Sequence, residues 1–265
     1  MARLKLTGFV LPLLACFLAP LANADVLDDI LDRGTIRVGV SEFVPWTLKS
    51  KAGELIGFEI EVSEKIAADM GVTVEFKVYE WEQIIPALQN GEIDVIAGGM
   101  AITPARALLV NFSQPLATSG TSLATNSKLT ENVASLQDLN GEAAVITVVA
   151  DTFAQSVAEI FFDQAKIKTY PSVELAQKEV LDARAHAYVG SDAAVKFFAM
   201  TNRKTVDTPI KKPFMASKEG LAVKKGEQQL LNFLNAWIVA RDADNWLGAS
   251  HAYWFDTIEW MVDAK

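Results

Sequence analysis

Residues 91–115, GEIDVIAGGMAITPARALLVNFSQP, constrain this chain more than any other stretch. Val95, Ile96 and Ala97 form a short apolar run with the character of a buried strand, and the pair Gly98-Gly99 interrupts it. Thr103 then suits a helix N-cap, and Pro104 suits the first helical position. Arg106 falls in the first turn that follows, where the helix macrodipole disfavours a cation by roughly 0.3–1 kcal/mol. An arginine in that place is either solvated or held for an anion. Glycines expose backbone N–H groups, and a guanidinium meets a carboxylate through two parallel hydrogen bonds, so Gly99 and Arg106 together describe a carboxylate pocket.

Strand and helix signals alternate on either side. The run 36–40 reads as a strand after Gly34, and Val74, Phe76 and Val78 alternate as a half-buried strand does. Between them Ile60, Ile66, Ala67 and Met70 recur at helical spacing until Gly71, and Ile84, Ile85 and Leu88 mark a second helix that Gly91 stops. The βαβα order predicts an α/β fold with mainly parallel sheets flanked by helices. A second unit of the same kind starts mid-chain: strand 143–149, helix 153–162, helix 173–181, strand 187–189 and helix 192–200. The segment IKKPFMASKEGLAVKKG returns as an extended stretch, and Leu230, Leu231, Leu234 and Ile238 give a long amphipathic helix. Trp237, Trp246, Trp254 and Trp260 lie in the tail beyond, where rings this large read as packing residues.

Residues 1–24 read as an export signal, with Arg3 and Lys5 as the basic start, a short apolar run at 11–18, and Ala22-Asn23-Ala24 before the cut at Asp25. The alternative, a lipoprotein box at Cys16, would leave the apolar FLAPLANA on the mature end. Removing 24 of the 265 residues takes away two positive charges and no acids, which moves the net charge from −9 to −11. It also removes Cys16, the only cysteine, and with it disulfides, thiolate catalysis and cysteine-based zinc sites. No basic stripe suggests nucleic-acid binding, and two histidines, His186 and His251, make a metal site an unpromising reading. His186, between alanines at a strand start, reads as structural.

At residues 91–115 the chain resembles a known family. The pattern G-x-[IV]-D-x-[IL]-x-x-G-M-x-I-T-x-x-R, followed by V-[DN]-F-[ST]-x-P, is similar to the signature of bacterial extracellular solute-binding proteins of the polar amino-acid type, the receptors of ABC importers. IRVGVSEFVPW, GELIGFEIEVSEKIAADMG and WEQIIPALQNGEID match the family's opening strand and first two helices in order. The resemblance implies a two-lobe α/β fold crossed twice by the chain, near 119–124 and 210–217. Lobe 1 would comprise 25–120 plus 215–265, and lobe 2 residues 121–214.

The resemblance also implies a ligand cleft between the lobes. Arg106 and the Gly99 N–H would grip a carboxylate from lobe 1. Phe43 and Trp46 fall where the family sets an aromatic against its ligand, although either could instead cap the core. Ala101 stands where the family has a hydroxyl, a loss of about 0.5–1.5 kcal/mol. Across the cleft, Ala150-Asp151-Thr152 matches the family's G-T-T or G-S-T segment, and Asp151 has the bland alternative of an N-cap. The family's ammonium anchor is an Asp five residues beyond the Asp of a [GK]-x-x-D-A motif. Here ARAHAYVGSDAAV carries His186 in that first place, Ser191 at the fifth, and Asp192 one later. Either the turn shifts and Asp192 takes the role, or there is no ammonium anchor and the ligand is not an α-amino acid.

The expected function is therefore that of a monomeric periplasmic receptor that closes on a small carboxylate-bearing solute and presents it to an inner-membrane ABC permease. Neither cofactor nor metal is expected. Two alternatives share the scaffold: a cyclohexadienyl or arogenate dehydratase, and a ligand-sensing partner of a membrane receptor. The dehydratases carry a glutamate in a T-D-x-x-E arrangement as their general acid, and Val195 stands there in this chain.

Overall fold

A computed structural model describes residues 25–257 and 259–264. The export signal and Cys16 lie outside the described residues. Two sheets organise the chain. The first runs Thr73–Val78, Thr35–Val40, Val95–Ile96, Ala222–Val223, Asn111–Phe112; its first three strands are parallel, and Ala222–Val223 is antiparallel to both neighbours. The second runs Val206–Asp207, Ala117–Asn126, Ala187–Ser191, Val145–Val149, Lys166–Tyr170, with Met215–Glu219 also paired to Ala117–Asn126. Ala187–Ser191, Val145–Val149 and Lys166–Tyr170 are parallel, whereas every pairing made by Ala117–Asn126 is antiparallel. Both sheets are thus mixed. Their parallel parts come from βα crossovers and their antiparallel parts from the segments that return between sheets.

Alternation along each strand divides the core. Val95 and Val223 face a cluster with Ile60, Ile66, Leu234 and Trp237, while their neighbours Ile96 and Ala222 face Ile84, Leu88 and Val110 on the other side. In the second sheet Leu123 and Val189 pack with Phe162, and Ala124 and Tyr188 with Phe198. Each sheet is therefore covered by helices on both faces.

Local chemistry sets the boundaries. Helix Phe58–Met70 ends where Gly71 turns left-handed at φ 73° and its N–H reaches the Ala67 and Ala68 carbonyls. Helices Phe153–Phe161, Val173–Leu181 and Asp192–Thr201 are opened by Thr152, Ser172 and Ser191, each accepting a backbone N–H within the first turn. The tail helices Gln228–Ala243 and Trp246–Asp256 fold back on the first sheet's core, with Trp237 donating to Asp69 at 2.8 Å and Trp254 to Glu61 at 2.8 Å. Trp260 also stacks on Phe197 of the second lobe, at 5.6 Å between ring centroids.

The two lobes are joined by strands Ala117–Asn126 and Met215–Glu219, which pair in register from Ala117↔Glu219 to Thr121↔Met215. This paired seam runs along the cleft, with Ser119, Gly120, Thr121, Ser217 and Glu219 on its wall.

Candidate functional site

A cleft of about 670 Å³ opens between the lobes beside that seam. Helix Pro104–Ala107 borders it and is a single turn, capped by Thr103, whose hydroxyl accepts the Arg106 N–H at 3.2 Å. So short a helix has little macrodipole, and the position of Arg106 follows from other contacts. Its guanidinium donates to the Ala101 carbonyl at 3.0 Å and, across the cleft, to the Asp151 carbonyl at 2.8 Å. It also lies 5.3 Å from the centroid of the Trp81 ring, a cation–π contact. Burial lowers its pKa to about 10 against the opposing charge of Asp151, so it stays cationic at neutral pH. A guanidinium carries five N–H donors, and those not spent on the two carbonyls can meet a carboxylate.

The other half of the expected grip is placed differently. Gly99, at φ 63°, donates its N–H to Glu59 Oε2 at 2.6 Å rather than to the cleft. Glu59 lies on helix Phe58–Met70 and is fully buried; burial raises its pKa to about 8, the Gly99 N–H opposes that rise, and nearby Glu219 adds to it. The carboxyl is thus mostly protonated at neutral pH. The sequence pattern makes Gly99 a ligand donor, whereas the fold spends this N–H on a buried carboxyl that would otherwise be unsatisfied. What requires glycine here is the left-handed backbone and the Trp46 indole, which a Cβ would meet at 3.0 Å.

Phe43 and Trp46 stack at 4.7 Å with 7° between planes, and both border the cleft. Trp46 is only 1 % exposed, packed between Phe43, Gly99 and an edge of Phe255, so it serves the core, and the half-buried Phe43 is the aromatic available to a ligand. Ala101 lines the cleft and offers its carbonyl to Arg106. Glu42 also lines it, but pairs with Lys49.

On the second lobe, the N-cap of helix Phe153–Phe161 is Thr152 and not Asp151. The Thr152 hydroxyl donates to the Val149 carbonyl at 2.7 Å and accepts from Gln155 N–H at 3.2 Å, so its one donor is spent, while the residue itself borders the cleft. Asp151 turns left-handed at φ 57°, which aims its carbonyl at both Arg106 and the Trp81 indole N–H, the latter at 3.1 Å. Ser191 borders the cleft and caps helix Asp192–Thr201. Asp192 does not join it: its carboxylate accepts from Ser122 at 2.8 Å and pairs with Lys196 at 2.5 Å, and it is absent from the cleft wall. The one-residue shift places Asp192 inside the helix, where Lys196 one turn on holds it. In this arrangement the Asp192 carboxylate is engaged by Ser122 and Lys196.

Three residues at the site were not singled out by the sequence pattern. Trp81 opens helix Trp81–Gln89, and an aromatic at a helix start is the signal that could have drawn notice. Glu59, between Phe58 and Ile60, and Glu219, between Lys218 and Gly220, carry no sequence sign that their carboxyls are buried. Among the described residues no group of three or more His, Cys, Asp or Glu is placed to hold a metal ion. His186 accepts the Val145 N–H through Nδ1 at 3.0 Å, a structural role.

Residues 36–257 match the family described as bacterial extracellular solute-binding proteins, family 3. The L-cystine-binding protein TcyJ of Escherichia coli (strain K12) is 25% identical over 239 residues, spanning 88% of this chain and 87% of that protein. Among solved structures, the ancestral amino acid-binding protein AncCDT-1, described as a precursor of cyclohexadienyl dehydratase, superposes with a TM-score of 0.79 at 33% identity, covering 88% of this chain and 100% of that one. A binding component of an ABC transporter from Wolinella succinogenes DSM 1740, solved with lysine, gives a TM-score of 0.81 at 29% identity, covering 87% and 100%.

Proposed function

The chain belongs to the bacterial extracellular solute-binding proteins, family 3, and on that premise we propose that it is a periplasmic receptor that captures an amino acid or close analogue by its carboxylate and delivers it to an ABC permease. The observation that carries this reading is Arg106: a cationic guanidinium in an interlobe cleft, already spanning to the second lobe through Asp151, with N–H donors to spare. A carboxylate entering the cleft takes those donors. Phe43 covers its side chain from lobe 1, and the N-terminal end of helix Phe153–Phe161 faces it from lobe 2. Contacts from both lobes exist only when the lobes are close, so the ligand favours the closed state by its differential contacts there, with the paired strands Ala117–Asn126 and Met215–Glu219 as the connection about which closure would turn. Gly99, Trp46, Thr152 and Ser191 shape the cleft, their polar groups or packing being used within the protein.

The test is Arg106→Ala. Truncating one partner of a buried charge pair costs about 2–5 kcal/mol, on the order of 30- to several-thousand-fold in Kd. Calorimetry with L-amino acids should show that loss with unfolding temperature little changed; wild-type affinity would refute the carboxylate pocket.

The dehydratase alternative draws support from the ancestral neighbour's description. Against it, the place where the resemblance puts the general acid holds Val195, an aliphatic side chain with no proton to give, buried with Tyr188 and Phe198. We therefore infer binding without chemistry; incubation with prephenate should leave its ultraviolet spectrum unchanged, and accumulation of an aromatic product would overturn that inference.

A further inference from the structure

The carboxylate reading leaves a ligand's amino group without an anchor, because Asp192 is tied to Ser122 and Lys196 outside the cleft wall. Other acids along the wall do not fill the gap: Glu42 pairs with Lys49, and Glu80 and Glu174 are exposed at the rim. Glu219 is different. It ends the returning seam strand Met215–Glu219, borders the cleft, and is only 2 % exposed. Its Oε1 accepts from Ser119 at 2.6 Å and from Ser217 at 2.5 Å, one serine from each crossing strand. Its Oε2 is buried and has no hydrogen-bond partner among the described residues.

A buried carboxylate oxygen left in this state is costly, and two neutral hydroxyls on the other oxygen do not compensate its charge. Burial accordingly pushes the Glu219 carboxyl above the ordinary carboxylate range, and the second buried acid, Glu59, lies close enough to feel it. Glu59 Oε1 is likewise unpartnered. Among the described residues no basic side chain pairs with either carboxyl, and Glu219, the one of the two that borders the cleft, is an acid that a cation would stabilise.

Its position relative to Arg106 is fixed by backbone contacts. Ala101 forms an antiparallel bridge with Glu219, flanked by the Ile102 N–H donating to the Lys218 carbonyl at 2.8 Å and the Gly220 N–H to the Met100 carbonyl at 3.2 Å. Ala101 is the same residue whose carbonyl accepts from Arg106. The cationic fork and the buried acid are thus held on either side of one small residue.

We propose that Glu219, presented by Ser119 and Ser217, is the anchor for the ligand's amino group in place of Asp192, so that the cleft selects solutes with an ammonium group next to the carboxylate. This rests on the carboxylate reading of Arg106 and adds the second charge of the pair. Because Glu219 lies on the seam that bends during closure, its contact with the ammonium also couples binding to the hinge.

The experiment is titration calorimetry of the mature protein with a panel of L-amino acids, each paired with the 2-hydroxy acid of the same side chain. The wild type should prefer the amino acid by at least tenfold. Glu219→Gln, which keeps the shape and can keep both serine contacts, should erase that preference while leaving hydroxy-acid binding within a few-fold, and Glu219→Asp should retain it in part. Asp192→Asn should leave the preference intact. A Glu219→Gln protein that still prefers amino acids, or an Asp192→Asn protein that loses the preference, overturns the assignment. Hydroxy acids binding the wild type as tightly as amino acids, with both lost in Arg106→Ala, would overturn Glu219 and leave the carboxylate reading standing. Failure of every pair to bind the wild type would overturn both. Should Glu219→Gln not fold, the wild-type ratio and the Glu219→Asp ratio still decide the question.

Discussion

Replacing Glu59 by glutamine should change how the stability of this protein depends on pH. Glu59 is fully buried, accepts the Gly99 N–H at 2.6 Å, and has its pKa raised from 4.5 to about 8, with desolvation the largest cause. The folded state therefore binds this proton more tightly than the unfolded chain, and between pH 4.5 and about 8 it holds up to one proton more. Stability from this group is fully present below pH 4.5, declines as pH rises at about 1.36 kcal/mol per pH unit, and is gone above pH 8. Across the whole window the loss is on the order of 5 kcal/mol; from about pH 5.5 to 8.5 it is roughly 3 kcal/mol. Glutamine keeps a carbonyl oxygen for the Gly99 N–H but does not ionise, so Glu59→Gln lacks this loss. Titrating groups that do not interact with Glu59 act on both proteins and cancel in the difference, while Glu219, which does interact with it, leaves a smaller residual. Thermal unfolding at those two pH values should show the wild type losing roughly 6–12 °C more than the variant. Parallel curves for the two proteins would refute the claim that a buried, mostly protonated carboxyl lies behind the cleft.

Asp94, 3 % exposed, accepts from Arg33 at 2.6 Å and from Arg37 at 2.5 Å, and also takes the Arg37 backbone N–H at 2.7 Å. Asp94→Ala should cost about 3 kcal/mol in urea unfolding, at the low end for a broken buried pair because both arginines keep contact with water, with ligand affinity unchanged; a loss under about 0.5 kcal/mol would place the pair with ordinary surface residues. Gly99→Ala should destabilise by about 1–3 kcal/mol, since alanine must adopt φ 63° and its Cβ meets the Trp46 indole at 3.0 Å; an unchanged unfolding temperature would show that Trp46 gives way freely.

The sequence by itself determined the sheet-and-helix order, the helix start at Thr103 and the place of Arg106 in the turn that follows it. These depend on contacts within a few residues: a cap hydroxyl reaches a backbone N–H three positions on, and strand or helix periodicity repeats within one element. Only the tertiary structure decided which polar groups remain free for a ligand. The Gly99 N–H reads as available until Glu59, 40 residues away, is seen to take it, and Asp192 reads as an anchor until Ser122 and Lys196 are seen to hold it. Glu219 reads as one more charged residue before Gly220, and becomes a buried acid only when the two crossing strands pair and set Ser119 beside Ser217. Desolvation and hydrogen-bond partnership are properties of the assembled neighbourhood, and here that neighbourhood joins segments a hundred residues apart.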